Sequence, residues 1–310
     1  MSPKARGTRA LESLADQIAV LAVLAAVLAL IVPWHSLARR SDLLLAALVL
    51  LTALSIVPTR LAQLRDRAGA LIALSIGPFI VLTALAWVVG RLFAGATREG
   101  ILSLGLSSTE VASVGLVALA GGDAVLALGV LTGSLVVSAV FGPLLAGALG
   151  QTAAHVNSFA LLGRFALVVL VPLAAGLAAR GAVPSISRAD GALGGLSTLA
   201  VCALVFAALS GLGGGDQLPA AALGAVIFLA AAGVVALIAA RLLPRLGAAA
   251  VGLPTGLRDF AVAAALATQA FGVRAATVAG IYGVLMLIAG ALAATALRRR
   301  RLGAHAEVHV

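Results

Sequence analysis

Of 310 residues, 62% are apolar, 10% carry a formal charge, and the net charge is +10; mean hydropathy is +1.17. A water-soluble chain of this size needs charge on roughly a quarter of its residues, so the solvent around most of this one is lipid. The positive charge sits at the ends of apolar runs and in Arg298 to Arg301, which marks topology signals and points away from nucleic acid.

In lipid every backbone polar group needs an internal partner, which leaves helices or a closed barrel. The runs are unbroken and rich in Ala, Leu and Val rather than short and alternating, so the expected fold is all-α. Ten runs are long enough to span a bilayer: 18–37, 43–59, 68–93, 98–120, 124–148, 160–179, 192–212, 219–241, 254–272 and 276–297. The first has the length of a signal peptide, but no cleavage site followed by a soluble domain comes after it, and it is expected to stay as a helix. The 35 glycines let such helices approach closely. The one cysteine, Cys202, lies in an apolar run and is expected to be inert core.

Basic residues in short loops set orientation. Lys4, Arg6, Arg9, Arg60, Arg65, Arg67, Arg180, Arg188, Arg241, Arg245 and Arg298 to Arg301 fall on one side; Arg39, Arg40, Arg91, Arg98 and Arg274 fall on the other. The bias puts both termini in the cytoplasm, across a bacterial-type plasma (inner) membrane. The expected organisation is a tail (1–17), a first five-helix repeat (18–148), a second, inverted one (160–297) and a basic tail (298–310).

The repeat has a sequence trace. Gly105-Leu106 and Gly252-Leu253 lie about half a chain apart, and at the same offset Ala118-Leu119-Ala120 matches Ala265-Leu266-Ala267. Each match falls in the fourth span of its half. Both spans are interrupted, by Gly105-Leu106-Ser107-Ser108-Thr109-Glu110 in span four and by Gly252-Leu253-Pro254-Thr255-Gly256 with Arg258-Asp259 at the opening of span nine. Paired interrupted helices in inverted repeats mark alternating-access transporters, and half-helix N-termini would offer an anion donors and positive dipole ends.

Ser113 to Asp123 (Ser-Val-Gly-Leu-Val-Ala-Leu-Ala-Gly-Gly-Asp) and Thr255-Gly256 running into Phe260 to Phe271 resemble the bile acid:sodium symporter family, within a wider group that includes arsenite and auxin-type carriers. The resemblance implies a core domain of spans 3–5 and 8–10, with spans four and nine crossing near the midplane, and a panel domain of spans 1, 2, 6 and 7. It also implies side-chain oxygens around the crossing where sodium is used. Here the family's asparagine is Val114, its span-five hydroxyls are Ala127 and Leu131, its glutamate is Pro254, the glutamine after that is Arg258, and its span-three glutamine is Pro78. A one-residue shift recovers Thr132 but not the glutamate. Sodium coupling of the family kind is therefore not expected.

Ionisable groups at membrane depth face a cavity or a partner. Glu110, Arg258 and Asp259 lie in the interrupted segments. Arg258 stands where a coupling cation would bind; it could pair with Glu110 or Asp259 as a structural lock, or hold an anionic substrate with its planar fork. Glu110 or Asp259 could carry a proton. The substrate-site candidates are Ser107, Ser108, Thr109, Glu110, Ser113, Thr255, Arg258 and Asp259; for the hydroxyls the alternative is a bond to their own helix. Asp123 reads as a helix cap, Thr132 and Ser134 as packing, and Arg164 as a side chain reaching for the interface. His35, His155, His305 and His309 make no proton relay.

No intramembrane-enzyme motif occurs, neither His-Glu-x-x-His nor a pair of facing aspartates, and no cofactor or metal site is expected. Short tails argue against a sensor. The expected function is secondary transport of a small organic anion. The alternatives are a sodium-coupled symporter with rearranged ligands and a uniporter or channel-like facilitator.

Overall fold

The computed structural model describes residues 17–32, 34, 37, 40–150, 157–210 and 217–307; Lys4, Arg6, Arg9, His35, Arg39, His155 and His309 lie outside them. Among the described residues the chain is helical, in the order α1 (Ile18–Ile31), α2 (Ser41–Ser55), α3 (Pro58–Ala62), α4 (Ala68–Gly90), α5 (Gly95–Leu106), α6 (Ala112–Leu119), α7 (Ala124–Leu149), α8 (Ser158–Ala182), α9 (Asp190–Leu209), α10 (Leu218–Leu242), α11 (Ala248–Gly256), α12 (Phe260–Phe271) and α13 (Val273–Glu307). Short 3-10 turns, such as Arg65–Arg67 and Pro184–Ala189, join some of them.

Helix starts follow capping chemistry. Asp123 accepts from the N–H of Leu126 at 3.0 Å and opens α7. Asn157 accepts from Phe159 and Ala160, both at 3.1 Å, and opens α8. Side-chain oxygens at these positions satisfy donors that the helix itself leaves free. Asp123 is thus the cap expected from the sequence.

Each of the ten apolar runs contains helix. Among the described residues, six segments are long and apolar enough to cross a membrane by length and composition: Arg65–Gly90, Ala124–Leu149, Ser158–Ala182, Pro184–Leu209, Leu218–Leu242 and Val273–Arg300. The other apolar helices are shorter. The 15 residues of α2 extend about 22 Å at 1.5 Å per residue, against a hydrocarbon core of about 30 Å. Helix faces remain apolar outside the bundle: Leu43, Ile80, Leu167 and Leu237 are each at least 60% exposed. In water such faces would drive association; in lipid they are the solvated surface.

Two boundaries differ from the sequence reading. The ninth run begins earlier, with α11 at Ala248, so Gly252 to Gly256 lies inside a helix and the interruption falls at Leu257–Asp259. The last helix continues through Glu307, so Arg298 to Arg301 extend α13 rather than start a separate tail.

The helices pack as two sets. α2 lies against α8 and α9, and α1 against α9. In the other set α4 packs on α5 and α7, α10 on α11 and α13, and α12 and α5 on α13 and on each other. The sets meet where α7 touches α8, α13 touches α9, and α2 touches α12. Within the larger set the approach at Gly105 is close: a Cβ there would stand 2.7 Å from the carbonyl oxygen of Leu82.

Candidate functional site

The two helix interruptions face each other. Between α5 and α6 the chain is extended through Ser107 to Glu110; between α11 and α12 it is extended through Leu257 to Asp259. Thr109 and Arg258 form an antiparallel bridge. The amide of Glu110 donates to Leu257 O at 3.0 Å, and that of Asp259 to Ser108 O at 2.8 Å. Each break thus supplies partners that the other lacks, at a depth where lipid offers none.

Side chains complete the crossing. Thr109 Oγ1 donates to Pro254 O at 3.0 Å, and its N–H donates to Ser134 Oγ, also at 3.0 Å. Ser134 therefore serves the crossing rather than simply packing. Ser107 donates to its own helix at Leu104 O, 2.8 Å away. Tyr282 of α13 accepts from the N–H of Arg258 at 3.1 Å. Tyr282 gave no signal in the sequence, where a lone aromatic in an apolar run reads as core.

The charged groups follow the helix dipoles. Asp259 caps α12, its Oδ1 accepting from Ala261 and Val262 at 2.9 and 3.0 Å. Glu110 Oε1 accepts from the N–H of Ala112 at the start of α6, at 3.4 Å. Both carboxylates sit at positive helix ends, where they occupy donors expected to serve an anion. Arg258 sits at negative ends: its Nη2 donates to Gly105 O near the C-terminus of α5, at 3.4 Å. Arg258 is 0% exposed and is the largest fully buried side chain among the described residues. Its Nε and Nη1 have no hydrogen-bond partner there, and the ion pairs found, Arg67–Asp123, Arg164–Asp42 and Arg180–Asp190, do not include it.

A cavity of about 800 Å³ lies between the two helix sets. Leu48, Thr52 and Ser55 of α2 and Ser197, Thr198 and Val201 of α9 form one wall; α6, the start of α7 and Leu287 of α13 form the other. Arg60 and Asp190 line its mouth, and Glu110 to Ala112 its inner part. Of the eight candidate residues, Glu110 is on this wall. Ser107, Ser108, Thr109, Ser113, Thr255, Arg258 and Asp259 are buried in the crossing beside it.

Few of the positions that the resemblance matches to sodium ligands carry a side-chain oxygen. Val114 and Leu131 line the cavity, Ala127 is buried, and Pro254 lies within α11; none has a side-chain oxygen. Thr132 donates to Leu128 O of its own helix at 2.9 Å. Apart from Thr132, whose hydroxyl is bonded to its own helix, these positions offer a sodium ion no side-chain oxygen. Among the described residues no group of three or more His, Cys, Asp or Glu could hold a metal ion.

With ten apolar runs, two facing helix breaks and a cavity ending on them, one comparison decides the family. The sodium bile acid symporter family matches the chain over residues 67–218. The chain belongs to that family. It is a multi-pass membrane transporter of a family whose members are transporters rather than enzymes. The matched stretch contains α4 to α9, including the first helix break and most of the cavity wall. No curated protein matches the chain.

One expectation is corrected here. Arg164 does not merely reach for the interface: it pairs with Asp42, its Nη2 donating to Oδ2 at 2.6 Å. The pair was not legible because Asp42 lies 122 positions away in the chain.

Proposed function

We propose that this symporter-family protein carries a small organic anion across a bacterial-type plasma membrane by alternating access. The observation that carries the reading is the cavity between the helix sets, which reaches the facing helix breaks at its inner end. Its walls are mostly apolar and its mouth carries Arg60, which suits a solute with an apolar body and a negative group.

The chain works as two inverted five-segment halves, residues 18–148 and 160–297, with α5/α6 and α11/α12 as equivalent broken fourth segments. The antiparallel bridge between the breaks supports this, since segments related by an in-plane two-fold axis would meet in that way. The set α1, α2, α8 and α9 moves as a panel against the remaining core. The cavity mouth lies at the end bearing Arg60 and Asp190. By the distribution of basic residues that end is cytoplasmic, so the structure is inward-open.

Arg258 replaces the transported cation of sodium-using relatives with one fixed to the chain. A fixed charge cannot be carried across, so it stabilises the crossing without coupling it to sodium. Glu110 is the charged group at the inner end of the cavity, and when ionised it opposes an anion. A proton carried with the anion removes that opposition, which favours protons over sodium as the coupling ion. The substrate site then centres on Glu110, with Ser107, Ser108, Thr109, Ser113, Thr255, Arg258 and Asp259 shaping the crossing behind it.

Uptake of labelled benzoate and cholate into proteoliposomes, with sodium replaced by choline, tests the reading. Saturable uptake that survives the replacement and accumulates under an imposed pH gradient is expected. Uptake that requires sodium contradicts it, and flux without accumulation would make the protein a facilitator.

A further inference from the structure

Away from the cavity mouth, three residues on three helices meet. Asp42 is in the first turn of α2, Arg164 near the start of α8 and Gln269 in the last turn of α12. Arg164 donates to Asp42 Oδ2 from Nε at 3.0 Å and Nη2 at 2.6 Å. Gln269 Nε2 donates to the other oxygen, Oδ1, at 2.8 Å. The carboxylate is shared between the two helix sets: α2 and α8 belong to one and α12 to the other.

The ion pairs near the mouth behave differently. Arg67–Asp123 joins the start of α4 to that of α7, and Arg180–Asp190 joins α8 to α9; each stays within one set. Charge pairing there holds a set together, whereas Gln269 ties one set to the other. The first turn of α2 is about 20 Å from Ser55 on the cavity wall, at 1.5 Å per residue. One helix therefore carries both the fastened end and the open end.

We propose that the Gln269–Asp42 hydrogen bond, braced by Arg164, is the latch of the outer gate. It rests on the alternating-access reading above. The bond fastens the outer end while the cavity is open at the other, and it breaks when the panel rocks. Its chemistry suits a reversible contact. Breaking it leaves Asp42 still paired with Arg164, so no carboxylate is stranded. It also frees Gln269 Oε1, which is buried without a partner, to meet water. A basic residue in place of Gln269 would instead have to break an ion pair in every cycle.

Amide hydrogen exchange on the full-length protein reads both ends at once. In Gln269→Glu two carboxylates oppose each other, and in Gln269→Met the donor is missing. Both variants should shift the balance toward the outward-open state by about tenfold or more, the strength of a hydrogen bond to a charged group. Exchange should speed up in residues 41–46 and 264–271 and slow down in 112–119 along the cavity. Asp42→Asn combined with Gln269→Glu reverses donor and acceptor and should restore the wild-type pattern. Unchanged exchange at both ends in the two folded single variants would overturn the latch and leave the rocking motion standing. Faster exchange at the outer end without slowing along the cavity would overturn both.

Discussion

At the scale of the residue, the crossing is held by placing each charge against the helix end of opposite sign. Asp259 is the clearest case, because one oxygen accepts two amides at the start of α12. Asp259→Asn and Asp259→Ala remove the same negative charge beside Arg258, but Asn keeps the cap. Asp259→Ala should therefore be less stable than Asp259→Asn by about 1–2 kcal/mol, measured by unfolding in detergent. Equal stability of the two variants would mean that the cap does not hold α12. The chemistry of this cluster was legible in the sequence, since Glu110, Arg258 and Asp259 are ionisable residues in apolar surroundings. Their partners were not. Tyr282 and Ser134 come to the crossing from α13 and α7, and nothing in their local sequence marks them.

At the scale of the element, hydropathy revealed the helical runs because lipid imposes the same demand on every span. The break in span four was visible as a polar patch led by glycine. The second break was misplaced because Gly252 and Pro254 look like helix breakers, yet both lie inside α11. Pro254 removes one bond to the preceding turn without ending the helix, and the break is set by Asp259 capping the next helix. Close packing was only generically legible, from the abundance of glycine. Gly105 and Gly115 separate its two roles. A Cβ at Gly105 would collide with Ala86 and the backbone of α4, whereas at Gly115 nothing lies within 4 Å. Replacing helical glycine with alanine gains about 0.5–1 kcal/mol of helix propensity, so Gly115→Ala should be neutral to slightly stabilising. Gly105→Ala should lose about 1–3 kcal/mol to overpacking. Melting temperatures of the two variants check the contrast, and similar values would contradict the tight contact of α5 with α4.

At the scale of the molecule, hydropathy and composition carry no trace of the division into two helix sets, which only the family resemblance implied. The division depends on contacts such as α2 with α8 and α13 with α9, between segments far apart in the chain. The cavity, its mouth at Arg60 and Asp190, and the fastening at Asp42 are consequences of that division. Under the proposed function the sequence departures at Val114, Ala127, Leu131, Pro254 and Arg258 acquire one meaning: the crossing holds a fixed guanidinium where the family resemblance implies side-chain oxygens for sodium. The most direct measurement is the thermal stability of the purified protein in sodium against choline at constant ionic strength. An ion that binds the folded state raises its melting temperature by mass action. The same melting temperature is expected in both salts, whereas a saturable rise with sodium would contradict a crossing held by the Arg258 guanidinium in place of the ion.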